Sequence, residues 1–245
     1  MKTRAELKAE ARELLAGNWG KAILLNIISI LGYLFLGTIL LGAIGIGIWL
    51  AKQSMQNGGG GFTVDNTTTQ SAASANNGGS LIGSLLSTFI TVGVTYTTLN
   101  WLRTKNADFS PVRGMFSVFS KKYFVSTLVL YILQEIFVLL WSLLFIIPGI
   151  IKGFSYSQTY LIYKDVNENN EDNNLNYLDY ITLSRELMDG HKMDLFVLQL
   201  SFIGWFFLGF ATFGIGLIWV IPYYQTTMVA FYKDLAGDRF LNYRG

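Results

Sequence analysis

Residues 128–141, LVLYILQEIFVLLW, hold one carboxylate, Glu135, in the middle of an otherwise uncharged apolar run. At that depth in a membrane helix a carboxylate costs roughly 2.5–3.5 kcal/mol unless it is paired or protonated. Two chemistries follow. In one, Glu135 handles protons or cations, facing the interior of a helix bundle. In the other, it is protonated and hydrogen-bonds Gln134, Asn26, Gln199 or nearby backbone. Asn26 and Gln199 occupy corresponding places in the first and last apolar regions, where interhelical hydrogen bonds are worth about 0.6 kcal/mol on average. Glu135, Gln134, Asn26 and Gln199 are therefore the candidate intramembrane binding residues.

Other chemistry is narrowed by what the chain carries. There is no cysteine, so neither a thiol nucleophile nor a thiolate metal site is available. His191 is the single histidine, and beside Lys192 it fits a lipid head-group contact better than catalysis. Asp165–Asn169, DVNEN, opens like a calcium-binding loop. Asn170 stands where the loop needs glycine and Asn176 where it needs its closing glutamate, so a solvated acidic loop is expected instead. No Ser-His-Asp set, P-loop or HExxH appears. No catalytic residue, metal or cofactor is expected, and a net charge of +2 gives no footprint for nucleic acid.

The elements that must carry these residues are set by composition. Of 245 residues 51% are apolar and 14% charged, against about a quarter charged in soluble domains. Much of the surface is therefore expected to face lipid. Four uncharged or nearly uncharged stretches reach the roughly 20 residues of a crossing helix: 22–51, 81–102, 123–163 and 195–232. The first is too long for a cleaved signal and reads as a retained span. The last two are each about twice a crossing and are interrupted by Pro148-Gly149 and by Gly214, Gly216 and Pro222. Read as hairpins, they bring the expected total to six transmembrane helices in one all-α membrane domain.

Lysine and arginine counts orient the bundle. Sixteen of the eighteen basic residues fall in 1–21, 103–122, 164–194 and 233–245, which six spans put on one side; Lys52 and Lys152 fall elsewhere. Both termini are expected in the cytoplasm, with the protein multi-pass in the plasma membrane. The Gly/Ser/Asn/Thr-rich loop 53–80 is expected to be disordered and external.

The chain also repeats itself. RELLAGNWGKAILLNIISILGYLFLG begins at Arg12, and RELMDGHKMDLFVLQLSFIGWFFLG begins at Arg185. Amphipathic segments place Leu7, Ala11, Leu14 and Leu15 on one helical face, then Val112, Met115, Phe116 and Phe119, then Tyr177, Tyr180, Ile181 and Met188. Each precedes an apolar hairpin. The hairpins end alike, in VTYTTLNWLR (94–103), FSYSQTYLIYK (154–164) and PYYQTTMVAFYK (222–233), aromatic residues before a cation as at a membrane boundary. The expected unit is an interfacial helix plus a hairpin, written three times over 5–103, 109–164 and 177–233.

With AELKAEARELLAGNWGKAI, IIPGIIKGFSYSQT, SRELMDGHKMDLFVLQLSFIGW and GIGLIWVIPYYQTT, the chain resembles the bacterial membrane-protein family called domain of unknown function 975. The resemblance implies a polytopic plasma-membrane protein and brings no catalytic residues. It departs from the family after the fourth span, where LIYKDVNENN replaces a typical ILADNP. The resulting expectation is a non-enzymatic protein with an interaction or envelope-homeostasis role, its partners being the lipid bilayer and other membrane proteins. The alternative is a small transporter or channel built on Glu135.

Overall fold

A computed structural model describes residues 1–56, 66–169, 175–241 and 243. Every regular element among them is helical: α1 (Arg4–Leu15), α2 (Trp19–Leu25), α3 (Ile27–Gln56), α4 (Asn66–Thr104), α5 (Pro111–Met115), α6 (Phe124–Leu144), α7 (Ile146–Tyr156), α8 (Thr159–Asn169), α9 (Tyr177–Leu187), α10 (Lys192–Leu200), α11 (Ile203–Ala211) and α12 (Leu217–Ala236). A 3₁₀ turn at Ser117–Phe119 follows α5. The fold is all-α, as the sequence indicates.

Local chemistry sets the boundaries. Thr3 and Glu6 form a reciprocal capping box: Thr3 N–H donates to Glu6 Oε2 at 2.7 Å, and Glu6 N–H donates to Thr3 Oγ1 at 3.3 Å. Two of the free donors at the start of α1 are thereby satisfied. The buried Asn26 separates α2 from α3; its Nδ2 donates to Ala22 O at 2.9 Å and its backbone N–H is shared by Ala22 O and Ile23 O.

The third apolar stretch turns at Phe145, in extended conformation, so Pro148 falls in the first turn of α7, where its missing N–H is harmless. The fourth turns over 212–216, with Gly214 at φ +86°, a conformation open to glycine. Pro222 is not part of that turn. It lies buried inside α12, and the glycine-rich segment makes the reversal.

Loop 53–80 also differs from expectation. Residues 53–56 complete α3 and residues 66–80 begin α4, while 57–65 lie outside the described residues. The stretch contains no proline, and extending an existing helix adds one hydrogen bond per residue without a new nucleus.

The core gathers at one end. Leu7, Ala11 and Leu15 of α1, Phe89, Leu99 and Leu102 of α4, Tyr180 and Ile181 of α9, and Phe231 and Tyr232 of α12 are buried in one cluster. The apolar faces of α1 and α9 are thus covered by neighbouring helices, whereas the sequence alone leaves them free to meet lipid. Only the middle segment keeps Val112, Phe116 and Phe119 exposed. α4 meets α5 backbone to backbone at Gly93, where a Cβ would collide with the Met115 carbonyl.

Toward the hairpin turns the surface becomes apolar: Leu143, Phe145, Ile147, Phe207 and Phe213 are among the most exposed side chains. Among the described residues two segments, Phe124–Leu143 and Lys192–Ala211, are long and apolar enough to cross a membrane. α7 has only 11 residues, and α12 carries the polar run Tyr223–Thr227.

Candidate functional site

The three hairpin ends that rhyme in sequence meet in space, where α4 packs on both α8 and α12. Asp165 is fully buried there. Its carboxylate accepts from Arg103 Nη1 and Nη2, each at 2.6 Å, and from Tyr232 Oη at 2.6 Å. A bidentate guanidinium–carboxylate pair is both strong and geometrically specific. Beside it, buried Lys164 Nζ donates to Asn100 Oδ1 at 2.6 Å and to Glu168 Oε2 at 2.8 Å. On the outer flank Glu10 of α1 accepts from Lys2 Nζ at 2.6 Å and from Lys233 Nζ at 2.8 Å.

Burial alone would lower the Arg103 pKa, but the hydrogen bonds and charge of Asp165 outweigh it and hold the group above its usual value. Burial takes Lys164 below its usual value, and the nearby Glu168 offsets part of this. For Glu10, burial acts upward, yet the bonds from Lys2 and Lys233 prevail and set its pKa below 4.5. The arrangement fixes helix ends: three donors converge on one carboxylate, and each donor sits on a separate helix from it.

Sequence reasoning missed this cluster. Asp165 was expected in a solvated acidic loop, but α8 continues through Asn169 and buries it. The available signal was the rhyme itself, which ends each hairpin on a cation: Arg103, Lys164 and Lys233.

The four expected binding residues are dispersed. Gln134 Nε2 donates to Tyr156 O at 2.9 Å and pins α6 to the end of α7. The neighbouring Ser155 O accepts from Ser184 Oγ of α9 at 2.8 Å, and the same hydroxyl accepts from Gln158 N at 3.2 Å. Gln134 and Glu135 therefore sit level with α9, well back from the Phe145 turn. Glu135 is exposed, and no hydrogen bond or ion pair reaches it among the described residues. It lies close enough to the Tyr160 phenol for their charges to interact. Asn26 marks the α2–α3 break and its buried Oδ1 has no partner among the described residues. Gln199 is half-buried in α10. No hydrogen bond joins any two of the four.

Tyr160 also lines a cavity of about 240 Å³ between α4 and α8, with Ser87, Thr88, Thr91, Thr95 and Ser157. Thr88 donates to Ser84 O at 2.9 Å, Thr91 to Ser87 O at 2.8 Å and Thr95 to Val92 O at 2.8 Å. With those protons engaged, the threonine oxygens offer acceptors only. Elsewhere His191 Nδ1 lies 3.1 Å from Asp194 Oδ2. Among the described residues no group of three His, Cys, Asp or Glu side chains is placed to hold a metal.

The family described as "Protein of unknown function (DUF975)" matches residues 1–170 and 143–239. No curated protein and no solved structure matches the chain significantly.

Proposed function

The chain belongs to the DUF975 family, and from that premise we propose a multi-pass plasma-membrane protein without enzymatic activity, serving an interaction or envelope-homeostasis role. It comprises six apolar segments in three pairs, each pair preceded by a short amphipathic helix, with both termini cytoplasmic. The observation that carries this reading is the division of the molecule. An ion-paired head ties helix ends together, and the helices leaving it expose leucine, isoleucine and phenylalanine to their surroundings. Such a body presents lipid-facing helices from a fixed base, to bilayer and to other membrane proteins.

The middle pair departs from a full crossing. Residues 179–194 of α9, its turn and α10 carry Asp179, Arg185, Glu186, Asp189, Lys192 and Asp194, a density of charge that belongs in water or head groups. Ser184 in that segment bonds Ser155 of α7. From Ser155 back to the Phe145 turn the helix rises about 15 Å at most, half of a hydrocarbon core of about 30 Å. The α6–α7 hairpin then dips into one leaflet. Glu135 sits near the head groups, where a carboxylate is inexpensive, and not at the midplane.

Single-cysteine labelling tests this directly, because the chain has no native cysteine. With a membrane-impermeant thiol reagent on intact cells, cysteine at Phe213 is labelled, cysteine at Arg239 is labelled only after permeabilisation, and cysteine at Phe145, held in hydrocarbon at the hairpin tip, is labelled in neither case. Labelling of Arg239→Cys from outside overturns the topology, and labelling of Phe145→Cys from outside makes the middle pair a full crossing.

One observation favours a second reading, a small transporter or channel handling protons or cations: Tyr160, which lines the threonine- and serine-rich cavity, lies close enough to Glu135 for their charges to interact. Flux of protons, sodium or potassium in proteoliposomes decides between the two. Our reading expects Glu135→Gln to match wild type in every flux, whereas a cation flux lost in Glu135→Gln establishes the transporter.

A further inference from the structure

Lys152 was set apart by its sequence position as one of two basic residues away from the cytoplasmic segments. Its surroundings say otherwise. α7 packs on α9 and on α10. Ser184 Oγ bonds Ser155 O at 2.8 Å on the first side, and the Phe154 and Phe196 rings meet edge to face at 5.8 Å on the second. Arg185 follows Ser184, and Lys192 starts α10 one turn before Phe196. Lys152 lies close enough to both for their charges to interact.

Like charges repel, and a trio of cations on three helices needs compensation. The nearby acids are mostly committed elsewhere. Glu186 lies 3.5 Å from Arg239, Asp194 pairs with His191, and the highly exposed Asp189 lies 3.7 Å from Lys192. No carboxylate pairs with Lys152 among the described residues; its ammonium sits 4.4 Å above the Trp141 ring. On the same two helices, α7 and α10, Ile151, Phe196 and Leu200 are exposed. Cations above an apolar strip, with an aromatic ring beside one of them, match a phosphate that carries acyl chains.

We propose that Lys152, Arg185 and Lys192 form a binding site for the phosphate of an anionic phospholipid, whose chains lie along α7 and α10. The site rests on the membrane reading above and gives it a lipid class. Seventeen of the eighteen basic residues then belong to the cytoplasmic side, Lys52 being the exception. The α6–α7 hairpin becomes a wedge in the inner leaflet, with a bound lipid at its base.

The test titrates the full-length protein in non-ionic detergent with dioctanoyl phosphatidylglycerol, dioctanoyl phosphatidylcholine or inorganic phosphate, following retained ligand by native mass spectrometry. Phosphatidylglycerol is retained in preference to the other two. Lys152→Gln, Arg185→Gln and Lys192→Gln each weaken it about fivefold, and Lys121→Gln leaves it unchanged. Undiminished retention in the triple variant overturns the site. Equal binding of inorganic phosphate overturns the lipid assignment and leaves a free-anion site. Where the triple variant does not fold, hydrogen exchange on wild type decides: protection on adding phosphatidylglycerol at 151–156 and 192–197 supports the site, and protection confined elsewhere sinks it. Phosphatidylglycerol binding that survives a failed thiol-labelling result would sink the topology alone.

Discussion

At the end of α4, Trp101 and Leu102 are buried and Arg103 shares two hydrogen bonds with a carboxylate from which water is excluded. At the far end of α6, Leu139, Leu143 and Phe145 have little protein over them. A soluble protein would arrange these the other way round, with its ion pairs outside and its leucines within. On the proposed membrane reading, the difference teaches what each end takes as its solvent. Apolar side chains left uncovered are stable in hydrocarbon, which adds little driving force for helices to associate. On that reading association is left to the head, where charge and aromatic packing join helices that lipid would leave apart.

The comparison breaks most sharply at Asp165. Asp165→Ala leaves the half-buried Arg103 without its counter-charge and the Tyr232 hydroxyl without its acceptor, a change worth about 3 kcal/mol. Leu143→Ala, at 75% exposure, stays within about 0.5 kcal/mol. Thermal unfolding of both variants in the same detergent measures the contrast. The double variant Arg103→Met/Asp165→Leu recovers most of the loss, because an apolar pair of similar volume removes the uncompensated charge. Equal melting temperatures for the two single variants would show that the knot does not hold the head together.

A smaller contrast lies within α4 itself. At Gly93 a methyl group meets the Met115 carbonyl, whereas at Gly83 nothing lies within 4 Å. Gly93→Ala is expected to destabilise by about 1–3 kcal/mol. Gly83→Ala is expected to be neutral or to stabilise by up to about 1 kcal/mol, through helix propensity alone. The same melting measurement reads both, and destabilisation by Gly83→Ala would extend the packed head toward the turns.

Much of the fold was legible and most of the site was not, for different reasons. Apolar runs and glycine breaks act locally, so helices and the turn over 212–216 could be read from the chain, while the break expected at Pro148-Gly149 falls three residues earlier, at Phe145. Pro222 misled because a helix packed on both sides tolerates a missing hydrogen bond, which composition does not reveal. The faces of α1 and α9 were read correctly as apolar, but their partner, protein or lipid, depends on tertiary packing. Asp165 was hidden for a related reason: an acid beside Lys164 in an Asn-rich stretch looks solvated until Arg103, 62 positions away, is brought beside it. Glu135 stood out by its place in an apolar run, yet the bond from its neighbour Gln134 to Tyr156 places it beside the end of α7.

The gentlest probe of the head is acid. Glu10 ties α1 to α12 through Lys233 and takes Lys2 as well. Its folded pKa lies below 4.5, so its contribution is complete above that value and is lost as pH falls through the folded one. Because the pair is partly exposed, the effect is expected to be roughly 0.2–1 kcal/mol and to shrink at high salt. Melting temperatures of wild type and Glu10→Gln, compared at pH 7 and at pH 4, isolate it. The gap between the two proteins should narrow on acidification, since a protonated glutamic acid and a glutamine carry the same charge. A gap that is unchanged at pH 4 would mean that the Glu10 ion pairs add nothing to the hold on α1, and that the ion-paired head ends at Asp165 without extending to the surface.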